Sequence, residues 1–385
     1  MPIDIRARVI SAAHHPGYSD SLLARQANYY GDSLARRGAD PAWLARSARD
    51  YEHLGYDSAL IPQRSGWPDV WVLAGWALAQ TSRFQIAAAH RTGLQAPTAA
   101  ARALASLHQL SGGRITAHVI LGGSEADQRR DGDQLDKAGR YRRAGEYLHI
   151  MRQWLTSREP FDFAGEFYQV TGALAGYHAD PPPVLSYGGS SPESIQLAGR
   201  YADVYAVTGE PLAGTAELIA AVRAVGQAHG RDIGFWFSTP NVILGASDAA
   251  ARRKADALTE ELLYARDYQQ AQQIALSHGI NARPESVNRQ RLDTAVHAKD
   301  WHDKALYTGI GRLTGYGWPA FVGAPDTIAD ALLDYYDLGV RTFGVGLSVE
   351  DAAERELATE LFRRLRAGAT ERERARPEPT PALAR

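Results

Sequence analysis

Short apolar runs rich in β-branched residues alternate along this chain with longer stretches whose apolar positions recur at helical spacing. The runs read as buried strands and the longer stretches as amphipathic helices. The first run is Arg8-Val9-Ile10-Ser11-Ala12-Ala13, ending in His14 and His15. A helix is predicted from Pro41 to Leu54, closed by Gly55, and then a strand from Ser58 to Pro62. Asp69 can cap a helix reaching Gln80. Strands follow at Phe84–Ala89 and Arg114–Leu121, separated by a helix that Pro97 opens and Gly112-Gly113 stops. A helix over Ala138–Leu155 leads to a hairpin-like interruption, Phe161–Val170, turning at Gly165. Further strands are predicted at Val184–Tyr187, Asp203–Val207, Ile233–Leu244 and Thr342–Leu347. Helices are predicted at Pro192–Arg200, Leu212–His229, from Asp248 onward, and at Asp351–Arg366.

Strand followed by helix, repeated, implies parallel strands with helical crossovers. Eight such units favour a closed (β/α)8 TIM barrel over an open sheet. An open doubly wound sheet usually carries G-x-G-x-x-G after its first strand; this chain reads Ala13-His14-His15-Pro16-Gly17 there. Two segments exceed the ideal repeat. Residues 16–40 form a polar, tyrosine-bearing stretch after strand one, and 249–320 form a large insertion after strand seven. Both belong at the C-terminal mouth, where barrel active sites are built, and the insertion is expected to act as a lid. The expected organisation is one barrel domain over 1–367 and a frayed, charged tail over 368–385.

Composition narrows the function. The 385 residues carry a formal charge of −2, which gives no footing for nucleic acid. With no cysteine, disulfides, thiolate metal sites and a cysteine nucleophile are excluded. No apolar run is long enough to span a membrane, and the first residues lack a signal-peptide pattern, so a cytoplasmic protein is expected. Neither H-E-x-x-H nor G-x-S-x-G is present, so neither a zinc protease nor a serine hydrolase is indicated, and no metal is expected.

Strand ends supply the candidate chemistry: His14, Gln63-Arg64, His90-Arg91, His118, Gly189-Ser190-Ser191, Thr208 to Glu210, Asn241 and Ser348. In Gly188-Gly189-Ser190-Ser191-Pro192-Glu193, glycines free backbone N–H groups to face an anion, and the helix start behind them adds more donors. That suits a phosphate. The same residues also read as a capping box from Ser190 to Glu193 with Pro192 in the first turn. His118 lies mid-strand, where a lone histidine is more often a satisfied core residue than a catalyst.

From Tyr187-Gly188-Gly189-Ser190-Ser191 through Leu197-Ala198, Asp203-Val204-Tyr205 and Thr208-Gly209-Glu210-Pro211, the chain resembles the bacterial luciferase-like flavin monooxygenases, and among them the alkanesulfonate monooxygenases. Leu54-Gly55-Tyr56, Leu110-Ser111-Gly112-Gly113-Arg114, Arg140-Tyr141 and Phe321-Val322-Gly323 extend the likeness over nearly the whole chain. The resemblance implies a (β/α)8 barrel that takes reduced FMN (FMNH2) from a separate NAD(P)H-dependent flavin reductase. It implies activation of O2 as a flavin peroxide, and a homodimer or homotetramer. Phosphate would sit on Gly189, Ser190 and Ser191. Lys137 and Tyr141 fall at cofactor-contact positions, and His118 falls where an asparagine beside the isoalloxazine is usual.

The departures concern the substrate. Trp67 stands where the sulfonate enzymes bear a cysteine, Asn241 where they bear a histidine, and Thr239, Thr314 and Ser348 where they bear an arginine, an arginine and a tyrosine. A sulfonate would lose its charge partners, so a larger, neutral or aromatic organic substrate is expected, walled by Trp67, Asn241, Tyr316 and Trp318. His14, His90 and Arg91 are the expected catalytic groups. Two alternatives remain: a deazaflavin (F420)-dependent hydride-transfer enzyme on the same barrel, and a flavin-binding barrel without catalysis.

Overall fold

A computed structural model describes residues 3–7, 38–122, 125–189, 191–239, 241–264, 300–309, 319–347 and 351–375. Eight parallel strands close into a barrel. They are β1 (Asp4–Ala7), β2 (Ser58–Ile61), β3 (Gln85–Arg91), β4 (Ile115–Ile120), β7 (Val184–Gly188), β8 (Val204–Thr208), β9 (Gly234–Thr239) and β14 (Val340–Val345). β1 closes the ring by pairing β14 on one side and β2 on the other. Helices α1 (Pro41–Leu54), α2 (Val70–Ala79), α3 (Pro97–Ser111), α4 (Glu125–Arg130), α5 (Lys137–Thr156), α6 (Pro192–Tyr201), α7 (Leu212–Ala228), α8 (Asp248–Tyr264), α9 (Pro325–Asp337) and α10 (Ala352–Arg374) accompany them. The barrel is the architecture that the alternation of runs implies.

Local chemistry starts and stops these helices where the sequence marks it. The Asp40 carboxylate accepts from the Ala42 and Trp43 amides at the head of α1, and Gly55, at φ 100°, ends that helix in the left-handed conformation. Asp69 caps α2 in the same way. Along the strands, alternate side chains face the helices and the lumen. Ile5, Ala7, Ile86, Ala88, Ile115, Ala117, Val119, Phe235, Phe237 and Phe343 join the main apolar core between barrel and helices. Each large aliphatic or aromatic side chain buried there contributes roughly 1.5–3 kcal/mol.

Four features differ from the sequence expectation. The described first strand is Asp4–Ala7, N-terminal to the run Arg8–Ala13, which lies outside the described residues. Its inward residues, Asp4 and Arg6, are charged, so the segment lacks the signature of a buried strand. The seventh run is two strands, with Pro240 between them in the sequence. β9 belongs to the barrel, and β10 (Asn241–Leu244) opens a second, four-stranded sheet with β13 (Ala320–Gly323), β12 (Leu306–Tyr307) and β11 (Trp301–His302).

The expected lid is therefore in part a packed unit. Ile243, Ala251, Ala255, Tyr307, Ala320 and Val322 form a second apolar cluster under α8. Phe321, on the opposite face of β13, meets Phe237 of β9 and Tyr335 of α9 edge-on at 5.9 Å each. Asp303 accepts from the Leu212 amide at 2.8 Å, which fixes the β11–β12 turn to the head of α7. Residues 265–299 and 310–318 lie outside the described residues.

The tail also begins later than expected. α10 continues to Arg374, with Ala369 buried and Arg372 paired with Asp337 at 3.0 Å. The predicted hairpin is present as β5 (Phe161–Ala164) and β6 (Gln169–Ala173). The Glu146 carboxylate of α5 accepts from the amides of Glu166, Phe167 and Tyr168 in its turn.

Candidate active site at the barrel mouth

TIM-barrel interiors are usually filled by bulky branched side chains. This lumen carries Ala87 and Ala89 on β3, Gly188 on β7, Ala206 on β8 and Gly344 on β14 at inward positions. A methyl added to Gly188 would meet the Ala206 Cβ at 3.2 Å and His118 Cε1 at 3.5 Å. Gly188, Ala206, Thr208 and Ser238 keep partial exposure, as do Leu60 and Ile120. Small residues therefore line the lumen near the strand ends, where several side chains keep partial exposure.

His118 is an inward residue of β4, sharing the parity of Thr116 and Ile120. Its Nδ1 lies 3.0 Å from the Ser186 hydroxyl of β7, and its ring meets Trp236 of β9 edge-on at 5.0 Å. Burial, reinforced by the positive charge of Arg6, depresses its pKa to about 3, so the imidazole is neutral at physiological pH. Arg6 was not anticipated from the sequence. Its guanidinium lies over Trp236 at 4.5 Å, and it donates to Ser58 at 2.8 Å and to Asp4 at 3.2 Å.

Beside the lumen, β7 ends at Gly188 and the chain enters α6. Ser191 is the N-cap, and its hydroxyl accepts from the Ser194 amide at 3.3 Å. The cap therefore lies one residue later than the predicted Ser190–Glu193 box. Ser191 also donates to the Tyr141 hydroxyl at 2.9 Å, which in turn lies 2.9 Å from the Ser194 hydroxyl. Gly189, at φ 150°, has a conformation that disfavours other residues, and an added Cβ would collide with Ser194. Tyr205 of β8 donates to the Gly189 carbonyl. Three hydroxyls and a helix N-terminus so converge at one rim of the mouth. Lys137, the first residue of α5, lies one turn before Tyr141 on the same helix face.

The opposite rim is stitched by charge. Arg91, at the end of β3, donates to Asp127 at 3.0 Å and pairs with Asp131. Its amide donates to Gln63 at 2.8 Å, and the Ser65 amide donates to Asp127 at 3.2 Å. Arg143 of α5 pairs with Asp133 at 2.5 Å and reaches the Thr92 carbonyl at 3.2 Å. Loops after β2, β3 and β4 are thereby tied together. Arg91 is at the mouth as expected, but two carboxylates already engage its charge.

The other predicted residues are dispersed. His90 shares the parity of Ile86 and Ala88 and faces the helices, not the lumen. Its Nε2 lies 2.7 Å from the Tyr147 hydroxyl, and its ring packs on Trp71 at 5.2 Å. Burial lowers its pKa to about 4. A neutral histidine walled off behind β3 does not reach a ligand in the mouth, which corrects the expectation of a catalytic role. Trp67 stands in the loop after β2, with Arg64 over its ring at 5.8 Å. Asn241 is fully buried at the start of β10, paired in register with Ala320, so it lies in the accessory sheet and not at a barrel-strand end. His14, Ser190, Tyr316 and Trp318 lie outside the described residues. Among the described residues no cluster of His, Asp or Glu is arranged to hold a metal ion, and no helix is long and apolar enough to cross a membrane.

A family model described as luciferase-like monooxygenase matches residues 21–342. The fold is similar to that of the long-chain alkane monooxygenase LadA, at 16% identity and a TM-score of 0.71, covering 97% of this chain and 92% of that one. It is similar to DmoA from Hyphomicrobium sulfonivorans, at 18% identity and a TM-score of 0.70, covering 99% and 90%. An F420-dependent secondary alcohol dehydrogenase shares the fold as well, at 16% identity and a TM-score of 0.63, covering 95% and 99%.

Proposed function

The chain belongs to the luciferase-like monooxygenase family, and from that premise we propose that it is the oxygenase of a two-component flavin system. It takes reduced FMN from a separate NAD(P)H-dependent reductase and, with O2, places one oxygen atom on a neutral organic substrate. The observation that carries this reading is the trio of hydroxyls, Tyr141, Ser191 and Ser194, gathered at the head of α6 beside a lumen lined with alanine and glycine.

The residues fit the group. A phosphate at the head of α6 would meet a positive helix end and three hydroxyls able to turn their protons toward it. Lys137 supplies charge one turn away. The ring would lie along Ala87, Ala89, Gly188 and Ala206, where a larger side chain at any of these positions would occupy its place. His118 offers this ring a neutral hydrogen-bonding group. When bound, the reduced flavin supplies the electrons that activate O2.

The substrate reading follows from the rim. Arg91 is neutralised by Asp127 and Asp131, so an ionised sulfonate placed against it would find its partner already engaged. Trp67 gives an apolar surface nearby. The unit formed by β10–β13 and α8 walls the mouth beside β8 and β9 and helps to keep water from the reacting centre.

Fluorescence titration with FMN tests the seat. Replacing Ser191 and Ser194 together by alanine should weaken FMN binding at least about tenfold, since hydrogen bonds to a charged group contribute roughly 1.5–3 kcal/mol each. Unchanged affinity would place the phosphate elsewhere. A second reading, hydride transfer from reduced F420, is favoured by the shared fold of the F420-dependent alcohol dehydrogenase. Binding of FMN together with oxygen-dependent product formation in the presence of a reductase supports the oxygenase. Binding of F420 with anaerobic hydride transfer supports the other, and FMN binding without any turnover leaves a binding protein.

A further inference from the structure

The barrel interior holds a column of three side chains that the phosphate seat does not use. Arg6 of β1 lies with its guanidinium 4.5 Å from the centre of the Trp236 ring. Trp236 of β9 receives the His118 ring edge-on, the planes 78° apart. His118 of β4 is then tied at Nδ1 to Ser186 of β7. The column crosses the lumen and links four strands. Arg6, itself buried, is oriented twice, by the buried Ser58 and by the half-buried Asp4.

The hydrogen bonds define which face of the imidazole is on offer. The Ser186 hydroxyl donates to the Ala117 carbonyl at 3.4 Å, which leaves its lone pairs for the Nδ1–H of His118 at 3.0 Å. Nε2 then carries a lone pair, and no protein group bonds it among the described residues. We propose that Arg6 is a positioning residue: through Trp236 it holds His118 as the Nδ1–H tautomer, with Nε2 presented to the lumen as an acceptor for a ring N–H. The identity of the ring rests on the flavin reading above; the tautomer does not.

The physical logic is one of stacking and exclusion. A planar guanidinium can lie flat on an indole while its fork is held by Ser58 and Asp4, whereas an ammonium can supply the charge but not the flat contact. The indole, held by the guanidinium, in turn packs against the imidazole at 78° between planes. A cation this close also disfavours a second one on His118, so the ring acts as an acceptor and not as an acid.

Long-range proton–nitrogen spectra of the imidazoles in 15N-labelled protein test this, with His118→Gln identifying the signals. In the wild type, Nδ1 should be the protonated nitrogen and Nε2 the bare one, unchanged between about pH 5 and 8. FMN should shift Nε2 in the direction of an accepted hydrogen bond. In the Asp4→Asn/Arg6→Met double variant, which removes both charges of the pair together, the tautomers should mix and FMN affinity should fall about tenfold. Arg6→Lys should not restore either. Trp236→Phe, which shortens the aromatic surface without touching charge, should give an intermediate result if the double variant fails to fold. A wild-type Nε2–H tautomer, or variants with unaltered tautomer and affinity, would overturn the proposal. Failure of wild-type protein to bind FMN, with the tautomer as stated, would overturn the flavin reading alone.

Discussion

A histidine sealed behind a barrel strand cannot take up a proton without giving up the hydration that the charge requires. Burial holds the pKa of His90 near 4, whereas the unfolded chain protonates it near 6.5. The native state therefore binds fewer protons than the unfolded state between those values. The contribution of His90 to stability is complete above about pH 6.5 and is lost as the pH falls toward about 4, to an extent on the order of 3 kcal/mol. Urea titrations across this window should show the decline, and His90→Gln should flatten it. At the proposed phosphate seat, Gly189→Ala should reduce FMN affinity about tenfold, read by titration, because its methyl would collide with Ser194 at a φ of 150°. The two histidines also show what was legible in the sequence. Both lie on strands, and only their parity separates lumen from helix layer. In β3 the alanines at 87, 88 and 89 occupy both faces and erase the alternation that would have assigned His90 outward. The turn at Gly188 and Gly189 and a serine cap beside it were readable because their chemistry is local; the Arg6 column was not, because it joins residues more than two hundred positions apart.

Elements were easier to recognise than to delimit. Seven of the eight barrel strands fall on the predicted runs, since parallel strands buried on both faces leave continuous apolar segments. The described part of the first strand escaped notice because Asp4 and Arg6 resemble surface residues. The break between β9 and β10 was hidden in one apolar run, although Pro240 marks it. β11 and β12 are too short to register as periodic signals. The accessory sheet nonetheless has a definite mechanical tie to the barrel. Phe321→Ala should cost about 3–5 kcal/mol in chemical unfolding, since it leaves a cavity against the packed Phe237 and Tyr335 rings. Lys304→Ala, which removes exposed ion pairs to Asp330 and Asp334, should cost less than about 1 kcal/mol. Equal losses in the two variants would contradict this account of how the sheet is attached.

At the scale of the molecule, α2 is apolar around its whole circumference, yet Val72 is 71% and Trp76 47% exposed. A helix of that composition calls for a cover. We propose a second copy of this chain as that cover, the assembly that the family resemblance implies. Sedimentation should give at least twice the 41.9 kDa chain mass, and Val72→Glu with Trp76→Glu should return it to one. A monomeric wild type would remove the expectation. The rim of the barrel has a different asymmetry, created by Arg91, Asp127, Asp131 and Gln63. One side of the entrance is an anvil, cross-braced by charge, while the other side carries the hydroxyl side chains of Thr208 and Ser238 beside the accessory sheet. Directed evolution toward new substrates should accordingly collect its gains on that second side. Changes to the anvil should forfeit the catalyst's architecture before they broaden its repertoire.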